Sequence, residues 1–189
     1  MEGLAEKKRA ILESTLELVQ EHGFHGTPMS LVAKKAGVAA GTIYHYFESK
    51  DKLLCELFGY VRRQVSAVVE REDCSTTPYQ ECFFNLWFGL YAYYTDNLYV
   101  LRFFEQFTNS PYSGYSNQEQ DELHRQLHRF FERGIQEGHL RNLSPRILGI
   151  LAHGNVISTV KVEAMGRVKL QEDELKQIPQ ILWDGMRSR

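Results

Sequence analysis

Apolar residues recur every three or four positions along most of the chain, and the strict alternation typical of a β-strand is missing from the sequence. Ile11, Leu12, Leu16 and Val19 illustrate the pattern, because this spacing places them on one stripe of a helix. The pattern predicts an all-α protein of nine helices, three small and six larger. Their predicted ranges are residues 4–22, 28–36, 40–46, 50–71, 78–95, 98–109, 117–137, 145–165 and 171–187.

Prolines and glycines mark the ends of these helices. Pro28, Pro78 and Pro145 each follow a threonine or serine, which predicts a side-chain N-cap followed by proline in the first helical position. Gly23 and Gly37 follow the last apolar positions of two helices, where a positive φ is often needed.

Composition narrows the class of protein. The chain has 189 residues, 43% of them hydrophobic and 24% charged, which is ordinary for a globular protein. We expect a cytoplasmic protein that does not bind membranes, because no apolar run is long enough for a transmembrane helix and the N-terminus resembles no secretory signal. Three cysteines are too few for a disulfide framework. The net charge of −2 gives no global positive field, so any binding of nucleic acid must depend on a local site.

Residues 27–47 carry the most informative motif, since two short helices joined by a glycine predict a helix-turn-helix. Small Ala33 and Ala36 allow the helices to cross closely, and Gly37 supplies the turn. Ile43 and Phe47 face the core of this module. The second helix then presents its outer face to the major groove of DNA, with Ala40, Gly41, Thr42, Tyr44 and His45 on that face.

This passage closely resembles the TetR-type (tetracycline-repressor-like) bacterial transcription regulators. The matching residues are Thr27, Val32, Ala33, Ala36, Gly37, Val38, Gly41, Thr42, Ile43, Tyr44, Tyr46, Phe47, Ser49, Lys50 and Leu53. Ala39 departs from the family pattern, because it replaces the serine or threonine that usually caps the second helix. The resemblance implies a DNA-binding domain at residues 1–49 and a ligand-binding and dimerisation domain at residues 50–189.

The resemblance also implies which residues touch DNA. Those assigned to phosphates are Thr27, Tyr44, His45, Tyr46 and Lys50, and those assigned to base edges are Ser30, Ala40, Gly41 and Thr42. Few of these side chains can form bidentate contacts with bases. We therefore expect specificity to depend partly on thymine methyl groups and on DNA shape.

Sixteen of the 23 aromatic residues lie between Tyr79 and Phe131. Such dense aromatic packing indicates either a filled core or a cavity for a lipophilic or aromatic molecule, and the family resemblance favours the cavity. The polar groups that can orient a ligand there are Asn155, His153, Gln106 and Tyr94. The other predicted ligand-binding residues are Phe58, Phe84, Trp87, Phe88, Tyr91, Phe103, Phe104, Phe107 and Phe130.

The last two helices carry apolar faces beyond what a single core requires. In the family, two such helices pair across a two-fold axis to form a four-helix bundle. The resemblance therefore implies a homodimer that reads a palindromic operator. The predicted interface residues are Leu148, Leu151, Ala152, Val156, Leu175, Ile178, Leu182 and Trp183.

The predicted function is a ligand-responsive transcriptional repressor, released from double-stranded DNA by a lipophilic or aromatic small molecule. An alternative is a DNA-binding scaffold that acts through protein partners without an inducer, and another is a helical enzyme or carrier. No catalytic motif or cofactor site is expected from the sequence. No metal site is expected either, because the histidine pair His124 and His128 lies on a polar helix face. Cys74 and Cys82 are expected to be unpaired thiols, although they can pair on oxidation.

Overall fold

The computed structural model describes residues 2–71, 74, 76–115, 122–166 and 168–188. These residues form nine α-helices and no named strand, so the predicted all-α architecture is confirmed. The predicted start of the seventh helix, at residue 117, lies outside the described residues. The helices are α1 (Glu2–His22), α2 (Met29–Lys35), α3 (Ala40–Tyr46), α4 (Lys50–Glu70), α5 (Tyr79–Asp96), α6 (Leu98–Thr108), α7 (Glu122–Gln136), α8 (Pro145–Ala164) and α9 (Glu172–Met186), with a short 3₁₀ helix at Pro111–Tyr115.

The first of two compact units comprises Met1–Arg62 and Tyr99–Asn117. In it, α1 packs on α2 and α2 packs on α3 around fully buried Ile11, Val32 and Ile43. Phe24, in the turn before α2, packs edge-on against Phe103 of α6, with 6.0 Å between ring centroids. The unit therefore joins the helix-turn-helix to the aromatic face of α6.

The second unit comprises Arg63–Leu98 and Gln118–Arg189. In it, α8 packs against both α5 and α7, and α9 packs against α5 and α8. Tyr79, Phe83, Phe131, Leu148 and Trp183 belong to its buried core. Gly134 of α7 lies against the Tyr79 ring so closely that a Cβ atom would overlap it. Tight contact between aromatic rings and helix backbones thus holds this unit together.

The helix ends correct one set of predictions. Pro145 occupies the first turn of α8 as predicted, but the N-cap Ser144 makes no capping hydrogen bond through its side chain. Pro28 and Pro78 are themselves N-caps, and the Thr27 hydroxyl instead donates back to the Gly23 carbonyl at 2.8 Å. The glycine predictions are confirmed, since Gly23 and Gly37 have φ values of 67° and 65°.

Cys74 and Cys82 form a disulfide bond, with 5.7 Å between their Cα atoms. The expectation of unpaired thiols at these two positions is therefore wrong, because the connection after α4 brings Cys74 to the first turn of α5. Cys55 is a free thiol. Across the described part of the chain, no helix combines the length and apolar character that crossing a membrane requires. The predicted domain boundary at residue 49 stays a prediction.

Candidate functional site

The short helix α3 has one buried and one exposed face. Ile43 is fully buried and Phe47, which follows the helix, is 1% exposed, so both anchor α3 to the core of the first unit. Tyr44 is 56% exposed and neighbouring His45 is also exposed. An exposed tyrosine offers both an apolar ring and a hydroxyl group, a combination that suits contact with a partner molecule.

The other predicted DNA-binding residues differ in exposure. Ser30, Ala40 and Gly41 are exposed, whereas Thr42 and Tyr46 are half-buried. No atom lies within 4 Å of a Cβ built on Gly41, so the surface at the start of α3 is open. Thr27 is 2% exposed and its hydroxyl bonds Gly23, which leaves little of this side chain at the surface. These DNA contacts stay predictions.

The lysines near α3 differ in whether they are held in ion pairs with carboxylates. Lys35 is bound by Glu17 at 2.9 Å and by Glu21 at 3.7 Å, and the hydrogen bond from Lys35 to Glu17 raises the pKa of Lys35. Lys34 and Lys50 make no ion pair with any described residue. Lys50 is the first residue of α4, just after Ser49, whose hydroxyl accepts a hydrogen bond from the Lys52 N–H at 3.2 Å. This arrangement leaves Lys50 beside the positive end of a long helix, which favours a phosphate group.

Four predicted ligand-binding residues pack on one another within the first unit. Phe58 stacks on Phe107 with 4.2 Å between centroids, and its ring meets Phe104 edge-on at 5.6 Å. The ring centroids of Phe103 and Phe107 are 5.9 Å apart. Phe58, Phe103 and Phe107 are buried, so these rings fill the contact between α4 and α6. Their role in binding a ligand stays a prediction.

The remaining predicted ligand-binding residues lie in the second unit, where aromatic residues of α5 meet polar groups of α8. The Trp87 indole Nε1 donates to Asn155 Oδ1 at 2.8 Å, and Tyr91 Oη donates to Glu163 Oε2. Trp87 stacks on Tyr91 and meets Phe88 edge-on. The ring centroids of Phe84 and Trp183 are 6.3 Å apart, and Phe130 stacks on Tyr79. The structure therefore brings Trp87, Phe88, Tyr91 and Asn155 together.

A further polar contact joins Tyr94 and His153, two of the polar groups expected to orient a ligand. Tyr94 is fully buried, and its hydroxyl lies 2.8 Å from His153 Nε2. Sequence periodicity alone does not separate Tyr94 from the other rings of α5, because aromatic residues occur on every side of that helix. The contact depends on how α5 crosses α8.

Two cavities lie beside these residues in the second unit. The first, lined by Phe83, Trp87, Phe131, His153 and others, has a volume of about 10 Å³, which is no more than one water molecule needs. The second has a volume of about 280 Å³ and a mixed lining that includes Glu70, Cys74, Arg129 and Phe130. The aromatic interior around Trp87 is thus nearly filled in this conformation.

The predicted interface residues of α8 and α9 divide by exposure. Leu148, Val156 and Trp183 are buried within the second unit. Ala152, Leu175, Ile178 and Leu182 are half-buried, and Leu151 is 50% exposed. The buried members pack in the interior of the second unit and hold α8 and α9 in place. Their role in self-association stays a prediction.

Three exposed isoleucines on the same two helices were missed. Ile147 and Ile150 of α8 are 49% and 59% exposed, and Ile181 of α9 is 71% exposed. With Leu151, the two isoleucines of α8 form an i, i+3, i+4 stripe. Apolar residues surround the first half of α8 on all sides, so its sequence pattern does not show which side faces the core.

Two family matches cover most of these elements. Residues 11–57, which include the helix-turn-helix, match bacterial regulatory proteins of the tetR family. Residues 78–187 match the tetracyclin repressor-like C-terminal domain. The chain belongs to the TetR family. Members of this family are transcriptional regulators and not enzymes, so the predicted family and the predicted absence of an enzyme activity are both confirmed.

Individual TetR relatives support the same assignment. An uncharacterised HTH-type transcriptional regulator of Haemophilus influenzae is 32% identical over 101 residues, which are 53% of this chain and 54% of the relative. The chain thus spans about half the length of that curated relative. A crystal structure of a TetR-family transcriptional regulator from Haemophilus influenzae aligns with a TM-score of 0.86 at 23% identity and covers both chains fully.

A second solved structure shares the fold at similarly low identity. It is the transcriptional regulator FadR of Bacillus subtilis in complex with stearoyl-CoA. The TM-score is 0.79 and the identity 22%, over 94% of this chain and 98% of the other. At this identity the likeness establishes the architecture and not the ligand.

Proposed function

We propose that this TetR-family protein is a homodimeric repressor that binds a palindromic operator and is released by a lipophilic or aromatic effector. The observation that carries the proposal is the division of α3, whose buried Ile43 fixes the helix while exposed Tyr44 and His45 face outward. A recognition helix needs this combination, because its position must be rigid and its outer face free to enter a groove.

The DNA contacts in this proposal divide by role. Tyr44, His45 and Lys50 bind phosphates and set the register, whereas Ala40, Gly41 and Thr42 lie against base edges. Small residues at the base edges permit close approach and contact with thymine methyl groups. Specificity then depends on apolar contacts and DNA shape more than on bidentate hydrogen bonds.

The proposed dimer uses the exposed apolar residues of α8 and α9. Ile147, Ile150, Leu151 and Ile181 place large apolar side chains in solvent, which a partner surface of the same kind can cover. A second copy of the chain is the proposed occupant, since the family matches extend over both helices. Two-fold pairing gives two recognition helices, and these require a palindromic site.

The proposed effector binds within the second unit, among Trp87, Tyr91 and Asn155. The cavity beside Trp87 is about 10 Å³, so binding requires a conformation in which the rings separate. An effector that binds only the open conformation shifts the population toward it. The covalent path to the DNA-binding unit is α4, whose residues up to Arg62 belong to the first unit.

A nearly filled interior also favours a second candidate, a DNA-binding scaffold without a small-molecule inducer. The two candidates differ in whether any lipophilic compound lowers the affinity for the operator. A screen of acyl thioesters, free fatty acids and planar aromatic compounds against the protein–operator complex separates them. Release by one class supports the effector proposal, whereas stable complexes throughout the screen support the scaffold.

The DNA-binding proposal is tested by selecting an operator from random DNA at fixed salt and measuring its affinity for variants. Tyr44→Ala and Lys50→Ala should each weaken binding about tenfold or more, the latter with less dependence on operator sequence. Lys176→Ala, which removes a lysine paired with Glu172 on α9, serves as the control and should bind normally. Unchanged affinity in both α3–α4 variants would contradict the placement of the site.

A further inference from the structure

A basic cleft lies on the second unit between the outer face of α7 and the start of α8. It is an open cleft of about 570 Å³, a volume in the range of small-molecule sites. Every residue that lines it has a polar or charged side chain, and these residues are His124, Arg125, His128, Arg129, Ser144 and Arg146. The cleft is separate from the aromatic interior, because the residues that line it include no phenylalanine, tyrosine or tryptophan.

Among the residues that the structure describes, the cleft carries more positive than negative charge. Glu122 is the carboxylate beside it, and it binds two guanidinium groups, with Arg125 Nη2 at 2.6 Å from Oε2 and Arg129 Nη2 at 2.9 Å from Oε1. Within the described part of the chain, Glu122 is thus shared by two arginines, whose combined charge exceeds its own. Arg146 adds another positive charge, since it makes no ion pair with any residue that the structure describes.

The arginine side chains in the cleft indicate the chemical class of its ligand. A guanidinium group binds phosphate oxygens through paired hydrogen bonds, and three of them line this cleft. The Ser144 hydroxyl makes no capping bond to α8 and is therefore a further donor at the rim. A single phosphate ion occupies a small part of 570 Å³, so the volume and the spread of charge fit a molecule with several anionic groups.

We propose that this cleft binds a small polyanion that carries two or more phosphate groups. The site is distinct from the apolar effector site and does not depend on it. It gives the regulator a second ligand, of opposite chemical character to the first.

The test uses the full chain and inorganic tripolyphosphate, with binding measured by calorimetry at constant ionic strength. We expect saturable binding of one molecule per chain. The double variant Arg129→Gln/Arg146→Gln should weaken binding at least about tenfold, because two charge-assisted contacts are lost. Lys169→Gln/Lys176→Gln removes the same charge from exposed positions outside the cleft and should bind as the wild type does. Thermal melting of each variant confirms that it is folded.

Two further measurements separate binding in the cleft from binding elsewhere on the protein. The Lys50→Ala variant should retain its affinity for tripolyphosphate, and a loss there would place the ligand on the DNA-binding surface and overturn the proposal. Sulfate at matched ionic strength should compete poorly, and equal competition would show general attraction of anions instead. If the cleft variant changes the oligomeric state in sedimentation but not the affinity for tripolyphosphate, the cleft is a contact between chains and the proposal is wrong.

Discussion

The two units use aromatic residues in different ways. In the first, the buried rings of Phe58 and Phe107 contact other rings and have no polar atoms to satisfy. In the second, Trp87 and Tyr94 are buried with polar atoms that need partners, which Asn155 and His153 of α8 provide. A pure ring stack gives rigidity, whereas a ring with a polar partner gives a place where a ligand can substitute for that partner.

This difference indicates that the two sets of aromatic residues have different roles. A rigid contact between α4 and α6 is suited to holding the helix-turn-helix in one orientation. A region whose hydrogen bonds can be exchanged is suited to opening around an effector. Substitutions in each unit can test whether the rings of the first are structural and whether the polar contacts of the second can be replaced.

The largest expected effect is from Phe107→Ala. Phe107 is fully buried and stacks on Phe58, so its truncation leaves a cavity in the first unit and should lower the free energy of unfolding by about 3–5 kcal/mol. Chemical denaturation measures the loss. Tyr44→Ala is the matched control, because its ring is exposed and its removal should change stability by less than about 0.5 kcal/mol. A neutral Phe107→Ala would mean that these rings are loosely packed and available to a ligand.

Gly134→Ala should destabilise the second unit by about 1–3 kcal/mol. The added Cβ would overlap the Tyr79 ring and approach Leu140, and neither neighbour is free to move. Tyr79 is 5% exposed, and its hydroxyl donates to the Phe130 carbonyl at 3.1 Å. Gly185→Ala in α9 is the control, since no atom lies within 4 Å of its added Cβ. Equal melting temperatures for the two variants would show that the packing of α7 on α5 is looser than the structure indicates.

The sequence predicted the first unit better than the second for a physical reason. The helix-turn-helix depends on contacts between residues close in the chain, so Gly37, Ile43 and Phe47 could be assigned from local spacing. The site in the second unit depends on how α5, α7 and α8 cross, and spacing along one helix does not contain that information. Tyr94 and His153 were therefore not paired, and the exposed Ile147 and Ile150 were not among the predicted interface residues of α8.

Two polar contacts escaped prediction for a related reason. The disulfide between Cys74 and Cys82 depends on the path of the connection between α4 and α5, and an eight-residue separation does not determine that path. Thr27 was expected to cap α2, but the turn through Gly23 brings a carbonyl within its reach. Competing partners for a short polar side chain become visible only in three dimensions.

Trp87→Phe should have a smaller effect, about 1–2 kcal/mol, because it mainly removes the donor to Asn155 and leaves a half-buried amide oxygen unpaired. A double-mutant cycle with Asn155→Ala isolates the contribution of the contact to the free energy of unfolding. If the polar contact is replaceable as proposed, an effector should stabilise Trp87→Phe at least as much as it stabilises the wild type. Loss of effector binding in a folded variant would instead identify the indole as part of the site.

Glu122→Gln should have the smallest effect, and the size of that effect depends on pH. Hydrogen bonds from Arg125, and then from Arg129, lower the pKa of the Glu122 carboxyl below its usual value. A carboxyl whose pKa is lower in the folded state stabilises the fold above its unfolded pKa, and this contribution is lost as the pH falls through its folded pKa. The wild type should therefore exceed Glu122→Gln in melting temperature near neutral pH, and the difference should shrink in acid. Because these groups are exposed, high salt should reduce the difference as well.

The same Glu122→Gln variant removes the carboxylate that opposes Arg125 and Arg129 in the basic cleft. It should therefore bind tripolyphosphate more tightly than the wild type even though it is slightly less stable, and calorimetry beside thermal melting measures both quantities. Opposite signs in the two measurements would distinguish a binding cleft from a surface ion-pair network, in which removal of Glu122 weakens stability and leaves the affinity for polyphosphate unchanged.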